Sequence, residues 1–128
     1  MQGKFLIDTD VLIDYLRDQQ QAVVFLESLD SPFYISAITI AELFAGVRDG
    51  DERTNLSCFL DACATIELDL VISEKGGLYR RDYGKSHGVG LADALIAATA
   101  TRHDLTVVTL NGKHYPMLKN VLIPYRKS

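Results

Sequence analysis

Asp8, Glu42 and Asp93 are carboxylates set in apolar surroundings, and they are the residues here whose types suggest chemistry. Asp8 ends the run Phe5-Leu6-Ile7, and Thr9 and Asp10 follow it before an amphipathic pattern starts at Val11. Such a run reads as a buried strand whose carboxyl end hands over to a helix. In open α/β sheets the crevice at that edge is where ligands bind. Two neighbouring carboxylates repel unless a cation, a proton or a basic group joins them. A divalent cation is the reading adopted, with Asp8 as its first ligand.

Glu42 lies within Ile38-Thr39-Ile40-Ala41-Glu42-Leu43-Phe44-Ala45, where a buried carboxylate is costly unless paired or bound to metal. The plainer alternative puts it on the one solvated strip of that helix. Asp93 falls in the first turn of an alanine-rich helix, where acids also serve as caps and favour the helix dipole. Asp8 or Thr9 has the same alternative as a cap for the helix near Val11. Asp14 and Asp18 read as solvated helix positions, and Asp69 as a cap. His87, His103 and His114 show no metal-ligand spacing and read as surface residues. The run Tyr79-Arg80-Arg81-Asp82-Tyr83-Gly84-Lys85 reads as an exposed helix face. Because it precedes the Asp93 helix, Arg80, Arg81 and Lys85 are candidates to hold a phosphate backbone.

The elements that must position these residues alternate between strand and helix. Strands are predicted at about 4–8, 33–36, 65–68, 106–109 and 121–123. Helices are predicted from Val11 through Leu16, and from Gln20 to Leu29 with Val23, Val24, Leu26 and Leu29 inward. Further helices cover Ile38 to Gly46 and Glu52 to Cys63, the latter with Leu56, Phe59 and Leu60 as its stripe. A long helical segment reaches Ser86 with an interruption at Gly76-Gly77, and Leu91 to His103 forms the last helix. Small residues at Ala94, Ala97, Ala98 and Ala100 allow that helix close to the sheet. This order predicts a three-layer α/β/α domain around a parallel sheet of four to five strands.

Composition sets the outer limits. The 128 residues predict one domain, residues 1–128, with 48% hydrophobic and 23% charged residues as in ordinary globular proteins. Thirteen basic against 17 acidic residues give a net charge of −4, which argues against a general electrostatic grip on nucleic acid. That balance leaves room for a nuclease, whose clustered acids are neutralised by metal. No stretch approaches a membrane span, and no secretion signal is read at the N-terminus. Cys58 and Cys63 suggest no disulfide framework, so a cytoplasmic setting is expected.

Taken together, the segments 6–14, 38–46, 91–99 and 108–115 resemble, in order, the motifs of the PIN-domain ribonucleases and of their VapC-type toxins. The resemblance spans almost the whole chain. It implies a PIN-like fold in which Asp8, Glu42 and Asp93 are the catalytic, metal-binding acids. Thr9 and Thr109 would be the supporting hydroxyls, and Asn111 the fourth polar position. The family has Asp or Asn there; the amide of Asn111 keeps the shape but drops a charge, which weakens any second metal. The implied function is a Mg²⁺-dependent endoribonuclease, with Mn²⁺ able to substitute, acting on structured RNA such as tRNA or rRNA. It implies as partners an RNA substrate and a cognate VapB-type antitoxin, which inserts a helix and a basic side chain. It also implies a homodimer, and a heterotetramer or larger assembly with the antitoxin. The alternative is a PIN-like RNA- or protein-binding domain with little or no nuclease activity. Asp8-Thr9-Asp10 is also similar to the opening of haloacid-dehalogenase-type phosphatases, but Leu12 stands where those need Thr or Val. A receiver domain would end its central strand on an acid, whereas Phe33-Tyr34-Ile35 ends in Ser36.

Overall fold

The computed structural model describes residues 3–126. Its strands are β1 (Phe5–Ile7), β2 (Tyr34–Ser36), β3 (Ala64–Ile66), β4 (Thr106–Val108) and β5 (Val121–Leu122). Its helices are α1 (Thr9–Leu16), α2 (Gln20–Glu27), α3 (Ala37–Ala45), α4 (Asp51–Asp61), α5 (Leu70–His87) and α6 (Leu91–His103). A short 3₁₀ turn covers Gly112–His114. The sheet order is β3-β2-β1-β4-β5, and each neighbouring pair is parallel.

The strands are apolar on both faces because helices cover both. Phe5, Ile7 and Val108 pack with Val11, Leu12, Phe25, Leu26, Leu43, Leu56 and Leu60 on one side. Leu6 and Val107 point the other way, against Ile96, Ala97, Ala100 and Tyr115. Successive strand side chains alternate sides, so three-residue strands suffice to feed both cores. Each fully buried aliphatic side chain contributes about 1.5–3 kcal/mol. The result is the three-layer α/β/α sandwich expected from the alternation.

The chain runs from β1 outward to β2 and β3, then returns to place β4 on the other flank of β1. The β1/β4 boundary is therefore the switch point, where such sheets open a crevice at their carboxyl edge. Asp8 follows β1 and Thr109 follows β4, and the Asp8 N–H donates to the Val108 carbonyl at 2.8 Å. These two residues are thus side by side at the crevice.

Four expectations change. Gly76-Gly77 does not interrupt α5, which runs unbroken for 18 residues. Gly76 is instead the contact point with α6, since a Cβ there would lie 2.5 Å from Leu95 Cδ2 and 3.2 Å from its Cα. Val24 is 56% exposed, while Ala22, Phe25 and Leu26 face the core. A residue two positions from Ala22 and Leu26 lies about 200° around the helix from each. Asp14 is buried at 6% exposure, with the Tyr125 hydroxyl donating to its Oδ2 at 2.8 Å. The third strand starts one residue earlier than predicted and ends at Ile66. Asp69 caps α5 as expected, accepting the Ile72 N–H at 2.8 Å.

Candidate active site

Asp8 serves as the N-cap of α1, and its extended backbone turns the chain from strand to helix. Its Oδ1 accepts the Thr9 N–H at 2.7 Å. Its Oδ2 accepts the hydroxyls of Thr109 and Tyr115, both at 2.8 Å. The plain reading as a cap is therefore correct, and it coexists with a second set of contacts at the crevice. Three donors satisfy a carboxylate that is only 6% exposed.

Asp10 turns toward the loop after β4. Its Oδ1 accepts the Val11 N–H at 2.7 Å and its Oδ2 the Leu110 N–H at 3.0 Å. Burial, and then the charge of Asp8, push its carboxyl from an ordinary 3.8 up to about 6, against the pull of its hydrogen bonds. The Thr109 hydroxyl lies 2.8 Å from Asp8 Oδ2 and 3.4 Å from Asp10 Oδ2, so it separates the two acids.

Glu42 sits on an exposed strip of α3, yet its carboxylate is engaged: Oε1 accepts the Thr9 hydroxyl at 2.7 Å. Thr9 Oγ1 also lies 3.1 Å from Oγ1 of the buried Thr39. The start of α1 and the middle of α3 are joined through these three side chains. Ser36 positions α3 by capping it, accepting the Ile38 N–H at 3.2 Å.

Asp93 occupies the first turn of α6. Its Oδ2 is 3.0 Å from His114 Nδ1, and its Oδ1 is 3.4 Å from the Tyr115 hydroxyl. Burial, and then the charge of Asp8, raise its pKa, and Glu42 adds to the rise. His114 and the Tyr115 hydrogen bond oppose it. Asp93 thus lies in the fields of both other acids. Asn111 meets His114 rather than an acid: its amide nitrogen is 3.1 Å from His114 Nε2. The Asn111 backbone N–H donates to Thr109 Oγ1 at 3.1 Å, supporting that hydroxyl from below.

Two residues with no role in the sequence reading join this cluster. His114 was expected at the surface; it is only half-exposed and pairs with Asp93. Tyr115 is 2% exposed and reaches both Asp8 and Asp93. Burial, and then the charges of Asp8 and Asp93, push its hydroxyl far up, so it remains a proton donor. Both residues fall in the segment 108–115, but sequence carries no sign of where a ring in an irregular loop will point. Arg80, Arg81 and Lys85 lie exposed on α5 outside the hydrogen-bonded cluster, with Arg81 paired to Asp82 at 2.9 Å. The end of α5 that carries Lys85 is joined through Gly88-Val89-Gly90 to the end of α6 that carries Asp93.

Carboxylate and hydroxyl oxygens are hard donors suited to Mg²⁺ or Mn²⁺. Among the described residues, no three His, Cys, Asp or Glu side chains are placed to hold one ion. The carboxylates are held by hydroxyls and a histidine, and their oxygens are the donor chemistry that fits a hard cation. Beside Glu42 a groove of about 590 Å³ opens, lined by Ile13, Leu16, Arg17, Val47 and Arg48 among others.

Known proteins share this architecture. The PIN domain family pattern matches residues 5–117. The chain is 39% identical over 123 residues to Ribonuclease VapC10 of Mycobacterium tuberculosis, covering 94% of this chain and 92% of that protein. It is 36% identical over 124 residues to Ribonuclease VapC19 of the same organism, covering 94% and 98%. A solved toxin-antitoxin complex from Klebsiella pneumoniae contains a chain that matches with a TM-score of 0.84 at 28% identity, covering 97% of this chain and 100% of that one. The chain belongs to the PIN-domain family and, within it, to the VapC type.

Proposed function

We propose that this protein is a divalent-metal-dependent endoribonuclease and the toxin of a toxin–antitoxin pair. The observation that carries the reading is the meeting of Asp8 and Asp93 at one Tyr115 hydroxyl, with Glu42 tied to the neighbouring Thr9. Asp8 lies at the β1/β4 switch point of the parallel sheet, Asp93 is reached from it through Tyr115, and Glu42 through Thr9, which supports a shared site for the three. The kinship with ribonucleases of the VapC type supports the same reading.

Asp8, Glu42 and Asp93 would hold Mg²⁺, with Mn²⁺ able to take its place. Such an ion supplies activation of water and neutralisation of phosphate charge. Thr9 orients Glu42, and Thr109 orients Asp8 while keeping it apart from Asp10. Asn111 supports the site through His114 and Thr109. Arg80, Arg81 and Lys85 offer positive charge to an RNA backbone from the α5 side, where phosphate contacts position substrate without reading its sequence. The substrates are structured cellular RNAs such as tRNA or rRNA, cut where the backbone is accessible.

The partner is a VapB-type antitoxin, as the kinship with a toxin-antitoxin complex suggests. The groove beside Glu42 offers such a partner apolar side chains next to a site carboxylate. A homodimer, and a heterotetramer or larger assembly with the antitoxin, complete the reading. A protein that binds RNA without cutting it is the second reading. It is favoured by the lack, among the described residues, of three acids already placed around one ion.

Induced expression of wild type and Asp8→Asn, followed by mapping of new RNA 5′ ends, separates the two. New ends and growth arrest are expected from wild type alone, and cleavage by purified wild type is expected to stop in EDTA. Equal cleavage by the variant, or full activity in EDTA, would refute the metal mechanism.

A further inference from the structure

From the geometry around Asp8 we infer that Tyr115 is a positioning residue for metal, its hydroxyl holding the Asp8 carboxylate in one orientation beside Asp93. The inference rests on the metal-dependent reading above and adds to it a residue outside the acid set.

Tyr115 is buried among Leu6, Ile96, Ala97, Ala100 and Val107, so its ring is held by packing on the sheet. The 3₁₀ turn Gly112–His114 immediately before it sets its approach, and its N–H donates to the Gly112 carbonyl at 3.0 Å. The hydroxyl can give its one proton to a single acceptor. The shorter contact, 2.8 Å to Asp8 Oδ2 against 3.4 Å to Asp93 Oδ1, assigns that proton to Asp8. Thr109 donates to the same Oδ2. With Thr9 N–H on Oδ1, three of about four lone-pair sites on Asp8 are taken. The remaining site lies on Oδ1. Two hydroxyls thus hold Oδ2 and a backbone N–H holds Oδ1, so the Asp8 carboxylate, which would bind the cation, is fixed in orientation by the protein itself.

A phenylalanine at this position fills the same packing volume and removes only the proton donor. Partners that orient metal ligands in this way change metal affinity by about 10–100-fold when removed. Tyr115→Phe is therefore expected to bind Mn²⁺ at least about tenfold more weakly than wild type, by calorimetry on the purified full chain. Without metal it is expected to keep a cooperative unfolding transition. It is also expected to need correspondingly more Mn²⁺ for the same rise in unfolding temperature. RNA cleavage at saturating Mn²⁺ should recover most of the wild-type rate, as a positioning role predicts.

Equal Mn²⁺ affinity in the two proteins overturns the inference and leaves the metal-dependent reading standing. A wild type that binds no Mn²⁺, while Asp8→Asn behaves identically, overturns both. If Tyr115→Phe unfolds, it is made together with Gly77→Ala, a substitution into open space on α5 away from the cluster, and its Mn²⁺ affinity is compared with that of Gly77→Ala alone. Equal Mn²⁺ affinity in that pair also overturns the inference.

Discussion

His114 Nδ1 stands 3.0 Å from Asp93 Oδ2, which ties the turn after β4 to the first turn of α6. The same ring meets Asn111 at 3.1 Å through Nε2, so an amide, an imidazole and a carboxylate lie in line. Burial and the charges of Asp8 and Glu42 raise the Asp93 pKa, and His114 is the side chain that opposes them most. His114→Leu is therefore expected to move the Asp93 titration further upward, read by carboxyl-carbon NMR in metal-free buffer. A downward or absent movement would show that His114 does not govern this carboxylate.

Asp10 makes the metal-free protein sensitive to pH in a definite direction. Its folded pKa of about 6 lies above its ordinary 3.8, so the folded chain keeps a proton that the unfolded chain has released. Its contribution is fully present below about pH 3.8 and is lost as pH rises toward 6. The loss is expected to be about 1–2 kcal/mol, less than the whole shift would give because Asp10 is only partly buried. Urea unfolding in EDTA at pH 4.5 and 6.5, comparing wild type with Asp10→Asn, measures it. Wild type should lose more stability than the variant across this interval.

Thr9 holds Glu42 at 2.7 Å and touches the buried Thr39 at 3.1 Å. Thr9→Val keeps the shape and removes the hydroxyl. Stability is expected to fall by about 1 kcal/mol, as for the loss of one hydrogen bond with a buried partner. RNA cleavage is expected to fall by about 10–100-fold, because an unheld carboxylate is a poorer ligand. Thr9→Ser should keep both, and a Thr9→Val protein with wild-type activity would remove Thr9 from the site.

The two adjacent glycines of α5 should respond in opposite ways. Gly77 has open space around its Cβ position, so Gly77→Ala is expected to stabilise by about 0.5–1 kcal/mol through reduced freedom of the unfolded chain. Gly76 faces Leu95, and a methyl there meets both its side chain and its Cα. Gly76→Ala is expected to destabilise by about 1–3 kcal/mol, since α5 and α6 must move apart. Thermal or urea unfolding of the two single variants tests the contrast.

Divalent metal should itself stabilise the folded protein. At a concentration about 100 times its dissociation constant, Mg²⁺ or Mn²⁺ is expected to add about 2.7 kcal/mol. Asp8→Asn should abolish that gain. A wild-type unfolding temperature that is the same in Mn²⁺ and in EDTA would count against a metal site.

The alternation of elements was legible from sequence because its causes are local. Phe5-Leu6-Ile7 is apolar at every position since both of its faces are covered, and Asp8 closes the strand and caps the helix through its own neighbour Thr9. Asp69 declared its cap in the same way, through a bond to Ile72 three residues on. Asp8, Glu42 and Asp93 stood out because a carboxylate in an apolar setting is costly at any single position. What sequence lacked was the partner of each group. Tyr115 reaches Asp8 across 107 positions, and Tyr125 buries Asp14 across 111. The same holds for Gly76, read as a break by propensity but kept in helix by its contact with α6. Hydrogen bonds and close packing act over a few ångströms, so only the crossing of distant segments at the β1/β4 edge decided which hydroxyl, ring or helix each residue would meet.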